Sequence, residues 1–76
     1  MTTQQHALCE RLKKLGYSQG NRVRMYGEEF DLISDPIIVQ DQLVVVDGVE
    51  RKSSSFRRIR IPLPIVRMIS REIRAA

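Results

Sequence analysis

The spacing of apolar residues changes twice along this chain, and that change bounds the fold more tightly than any single residue does. Leu8, Leu12 and Leu15 recur at i, i+4 and i+7, one face of a helix. Thr2 and Gln5 have capping-box spacing ahead of them, and Gly16 stands where a left-handed C-cap is wanted. A helix is therefore predicted over about residues 3–15. After the turn-like stretch Ser18 to Asn21 the period falls to two. Val23 and Met25 alternate with Arg22, Arg24 and Tyr26, and Phe30 and Leu32 alternate with Asp31 and Ile33. Ile59 and Ile61 are likewise opposed to Arg58 and Arg60. Past Pro62 the helical period returns: Ile65, Ile69 and Ile73 lie at i, i+4 and i+8 with Met68 beside them. Pro64 is placed as the first residue of a helix over about 64–74, since its missing N–H is an orphan there anyway.

Turn residues divide the middle. Gly27-Glu28 predicts a tight bend, and Pro36 removes a ladder donor, so an edge, bulge or strand start is expected there. Gln40 to Gln42 reads as the next turn. Leu43 to Val46 is apolar on both faces and suits a central strand. Asp47-Gly48 fits either a hairpin turn or a bulge in one long strand reaching Lys52. The bulge is favoured, because Val49 to Lys52 is short for a strand of its own. Ser53 to Ser55 is the better turn. The order is helix, about five short strands over 22–61, helix. It predicts a mainly β (α+β) fold in one domain over 1–76: a small, strongly bent, five-stranded antiparallel barrel with an N-terminal and a C-terminal helix.

A chain of 76 residues has a thin core and usually needs a cross-link or association to stabilise it. Cys9 is the only cysteine and His6 the only histidine, so neither an intramolecular disulfide nor a structural zinc set is available. Self-association, a homo-oligomer, is the expected stabiliser. The N-terminus has no basic region followed by an apolar run, and no apolar stretch nears the ~20 residues that span a bilayer. A cytoplasmic protein without a membrane partner is expected. Candidates for chemistry are few. His6 lies near a terminus, the four glycines are isolated, and none belongs to a phosphate-cradling loop. No enzymatic activity and no cofactor are expected.

Charge is unevenly laid out within a net +4. Residues 1–20 sum to +2, residues 21–50 to −5 and residues 51–76 to +7. Two readings follow: the basic ends meet a polyanion, or the basic third of one subunit faces the acidic third of another. The densest feature is the run Arg51 to Arg60, in which Arg51, Lys52, Arg57, Arg58 and Arg60 surround Phe56. Guanidinium forks match phosphates, and an exposed aromatic offers a stacking face. On a β-hairpin this run fits a clamp for RNA or another single-stranded nucleic acid, with Phe56 or Tyr26 stacking. The alternative is a solvated loop with Phe56 turned into the core. The module then serves protein–protein contacts or self-assembly with no nucleic-acid ligand. The stripe Arg67, Arg71 and Arg74 is weaker, since cations near a helix C-terminus are favoured for stability alone.

The element order, with Val23 to Phe30 as a first strand turning into a second and Leu43 to Glu50 as an apolar strand meeting acidic residues, resembles the Sm-like small β-barrel family. A generic SH3-like barrel used for protein contacts fits nearly as well. The Sm-like resemblance implies a ring of subunits that binds RNA through loops near Asp41-Gln42 and near Arg60. The chain departs from that family's pattern where Gln42 replaces the preferred Asn, where Ile61 rather than Gly follows Arg60, and in its C-terminal helix.

Overall fold

One strand organises the rest. In the computed structural model, which describes residues 2–40 and 43–75, β4 (Leu43–Glu50) is paired along both edges. β5 (Phe56–Arg60) lies antiparallel on one edge, from Val45↔Arg60 to Val49↔Phe56. The other edge is shared. β2 (Glu28–Leu32) covers Gly48 to Glu50, and β3 (Ile37–Gln40) covers Leu43 to Val45. β1 (Arg22–Met25) extends the sheet beyond β2. α1 (Thr3–Lys14) and α2 (Leu63–Ala75) flank the strands in sequence.

β2 and β3 behave as one strand broken at Ser34 to Pro36. The break is patched: Ile33 N–H donates to the Asp47 carbonyl at 2.9 Å, and Asp47 N–H donates to Ser34 Oγ at 2.9 Å. Pro36, which cannot donate, sits just before β3, so the expected interruption is a strand start. β4 runs unbroken through Asp47 and Gly48 with regular pairing on both sides. The continuous strand is as expected, but the bulge is not there. The register shift falls instead between Ile38 and Gln40, and β4 ends at Glu50 rather than Lys52. Gly48 has another reason to be glycine. An added Cβ would lie 3.2 Å from the Asp31 carbonyl oxygen and 3.2 Å from Ile59 Cδ1.

Helix and strand are about equally represented, so the architecture is α+β rather than mainly β, and the sheet is not closed into a barrel. Among the described residues β1 and β5 share no ladder. The cover that a closed barrel draws from its own strands comes here from the helices. Leu8 and Leu12 of α1 and Val66 and Ile69 of α2 pack with Met25, Phe30, Leu32, Val44, Val46, Ile59 and Ile61 in one core. The two helices are tied by Arg11 Nη2 donating to Glu72 Oε2 at 2.6 Å. The capping box at Thr2 and Gln5 is formed as read from the sequence. α2 begins at Leu63, one residue before Pro64, still within the first turn where a missing N–H costs nothing. Its fully buried residues are Val66 and Ile69, while Met68 is exposed.

Across the open seam the Tyr26 hydroxyl donates to the Arg60 carbonyl at 2.6 Å. Tyr26 and Gly27 join β1 to β2 with φ of 55° and 76°. Positive φ at both central residues marks a type I′ hairpin, where Asn-Gly is the usual pair. A tyrosine there is strained by about 1–2 kcal/mol relative to a relaxed backbone. The bend expected at Gly27-Glu28 therefore falls one residue earlier.

Candidate nucleic-acid interface

Alternation along the strands divides the basic run between two faces. Val44, Val46 and Ile59 point into the helix-covered core. Val45, Asp47, Val49, Phe56, Arg58 and Arg60 therefore share the opposite face, on which Val45 is buried and Phe56, Arg58 and Arg60 are exposed. The same register carries Asp31, opposite Val49, and Arg22, opposite Asp31, onto this face. Arg24, opposite Glu29, follows by alternation. Arg51 joins them at the far end, where its N–H donates to the Glu29 carbonyl at 3.0 Å.

Asp47 uses its backbone N–H and C=O toward Ser34 and Ile33, so on its β5 side it is a non-hydrogen-bonded pair with Arg58. Side chains come closest at such pairs. Arg58 Nε donates to Asp47 Oδ1 at 2.8 Å and Nη2 to Oδ2 at 3.1 Å, a two-pronged grip. The hydrogen bonds from Arg58 hold the Asp47 carboxyl below the usual carboxylate range, and Asp47 raises the guanidinium in return. A second pair on this face, Arg22 Nε to Asp31 Oδ1 at 3.0 Å, neutralises Arg22.

Arg57 lies on the other face. Its guanidinium stands 5.8 Å over the Phe30 ring, within cation–π reach, and Nη1 donates to Glu50 Oε2 at 3.2 Å. Both contacts hold it to the rim of the core. The predicted cluster is thus split: Arg57 and Arg58 are engaged within the fold and on opposite faces.

Arg51, Lys52 and Arg60 are exposed and have no side-chain ion pair among the described residues. The β4–β5 turn is set by backbone bonds, Glu50 N–H to the Ser55 carbonyl at 2.9 Å and Ser54 N–H to the Glu50 carbonyl at 2.7 Å. Ser53, Ser54 and Ser55 stay exposed around it. Phe56 is 62% exposed, so the reading that folds it into the core does not hold.

A shallow groove joins this turn to the β1–β2 hairpin. Arg24, Arg51 and Lys52 line it with Glu28 and Glu29. Arg24 was not among the residues singled out in the sequence. It stands 27 positions before Arg51, and only the strand pairing brings the two together. The loop at Asp41-Gln42, implied by the Sm-like resemblance, lies outside the described residues. Among the described residues no three His, Cys, Asp or Glu side chains gather as a metal would require, and His6 has only Glu10 nearby, at 4.0 Å. No helix is long and apolar enough to cross a membrane. No protein-family model, curated protein or solved structure matches this chain.

Proposed function

We propose that this chain is a non-enzymatic module that holds single-stranded nucleic acid on the face of its sheet opposite the shared core. Phe56 stacks a base. Arg51, Lys52 and Arg60 contact phosphates, with Arg24 adding a further cation at the groove. The observation that carries the reading is the Phe56 ring, 62% exposed on the same face as three arginines, Arg24, Arg51 and Arg60, that have no side-chain ion pair among the described residues. Burying a phenylalanine side chain stabilises a fold by about 1.5–3 kcal/mol, and this chain forgoes most of that. Stacking a base on it recovers about 1–3 kcal/mol, and is indifferent to sequence because every base has a π face.

The test is fluorescence anisotropy of a labelled single-stranded RNA at low and moderate salt, with a DNA strand of the same sequence beside it. Micromolar binding that weakens with salt is expected. Arg51→Ala/Lys52→Ala should lower the salt slope by about 1.4, roughly 0.7 per phosphate contact on a single strand. Phe56→Ala should weaken binding with the slope unchanged. No binding at low salt removes the proposal. Equal affinity for the two strands indicates phosphate and stacking contacts without use of the 2′-hydroxyl.

A second reading is self-association, favoured by Ile33, Ile37 and Val39. These three branched side chains follow one another along the β2–β3 segment and are 47%, 37% and 50% exposed. Sedimentation equilibrium of the wild type and of Ile37→Lys tests it. A concentration-dependent oligomer lost in the variant supports the reading, and a monomer at all concentrations refutes it.

A further inference from the structure

Tyr26 occupies a backbone position that suits asparagine, and it spends its hydroxyl on a carbonyl at the far end of β5. A strained residue retained at such a place points to a task for its side chain. The ring is 64% exposed, almost the same as Phe56. The hydroxyl bond to Arg60 fixes that ring at one end of β5, while Phe56 forms the other end. Between them β5 presents Arg58, held by Asp47, while Arg60, unpaired among the described residues, lies at the Tyr26 end.

We infer that Phe56 and Tyr26 are the two ends of a single stacking platform, which a single strand with stacked bases spans in about five nucleotides. The inference rests on the single-strand reading above and goes beyond it. Phe56 and Arg60 are four residues apart, about 14 Å at a rise of ~3.4 Å per residue. Bases stacked along one strand are also ~3.4 Å apart, so four base steps cover the same distance. A dinucleotide reaches one ring only. A pentanucleotide reaches both, with its phosphates passing Arg60 at the Tyr26 end. The open seam between β1 and β5 thus has a use, since a ladder closed there would displace the tyrosine from the carbonyl it now engages.

The experiment uses fluorescein-labelled oligouridylates of two, three, five and eight nucleotides, with the wild type, Phe56→Ala, Tyr26→Phe and Tyr26→Asn, at low salt. Circular dichroism melts accompany each variant. Asparagine suits the positive φ at this turn, so Tyr26→Asn keeps the hairpin while deleting the ring. The expected result is a step of about tenfold or more in wild-type affinity between three and five nucleotides, the worth of one stacked base. Tyr26→Asn should abolish that step and leave the trinucleotide nearly unaffected. Tyr26→Phe, which keeps the ring without its tether, should fall between the two. A smooth rise with length, with Tyr26→Asn matching the wild type on the pentanucleotide, overturns the platform while the single-strand reading stands. No binding of the octanucleotide by the wild type overturns both.

Discussion

Arg58 and Asp47 face each other at a non-hydrogen-bonded position of β5 and β4, and the guanidinium meets both carboxylate oxygens, at 2.8 and 3.1 Å. An arginine so held is a weaker phosphate ligand, because its charge is already matched by the carboxylate and two of its five N–H donors are occupied. The carboxylate thereby subtracts a cation from the face on which the ligand is proposed to lie. Asp47→Asn should free Arg58. Affinity for single-stranded RNA should then rise, and the salt slope should steepen by about 0.7, one added phosphate contact. Anisotropy titrations at three salt concentrations check this, and unchanged affinity and slope would show that Arg58 cannot reach the strand.

The same pair predicts a pH signature. The carboxyl of Asp47 titrates lower in the folded chain than in the unfolded one, chiefly because of the hydrogen bonds from Arg58. Its contribution to stability is whole above the unfolded value near ~4 and is lost as pH falls through the folded value. Thermal melts of the wild type and Asp47→Asn should therefore differ by a constant amount from about pH 7 to about pH 5. The two should converge below the folded pKa of Asp47. A difference that persists once Asp47 is protonated in the folded chain would assign the effect of the substitution to something other than the charge.

Gly48 is crowded by backbone as well as by side chains, and a carbonyl of a paired strand has nowhere to go. Its added Cβ would meet the Asp31 carbonyl oxygen at 3.2 Å and Leu32 Cδ2 at 3.3 Å. Gly48→Ala should cost about 1–3 kcal/mol, the usual range for overpacking. Urea unfolding measures it. A neutral outcome would mean that β2 and β4 shift apart without penalty.

Cys9 joins α1 to the break before β3, its thiol 3.7 Å from the Pro36 carbonyl. Burial, and then the carboxylate of Glu10, push the thiol above its ordinary pKa. The protonated thiol is a weak nucleophile, so a disulfide reagent at neutral pH should label native protein far more slowly than protein in denaturant. Equal rates would show that α1 opens readily from the sheet.

Much of the fold follows from local pattern alone. Leu8 and Leu12 mark the buried face of α1, Thr2 and Gln5 its start, and the alternation at Phe30, Leu32, Ile59 and Ile61 marks the strands that share its core. These are properties of a few adjacent residues, and hydrophobic period and cap chemistry act over that range. The basic run was legible as a run, yet its division was not. Whether Arg57 turns to Phe30 and Glu50 or out with Arg58 depends on the register of β5 against β4, and a one-residue slip would exchange the two faces. The same holds for closure of the sheet, the joining of Arg24 to Arg51, and the reach of Tyr26 to Arg60. Each rests on pairings between residues far apart in sequence, fixed by burial of the shared core. The sequence alone determined where this chain is helical, where it is extended and where it is basic. Tertiary structure decided which cations the fold pairs within itself and which it leaves exposed, because only strand pairing brings each arginine to its carboxylate or leaves it without one.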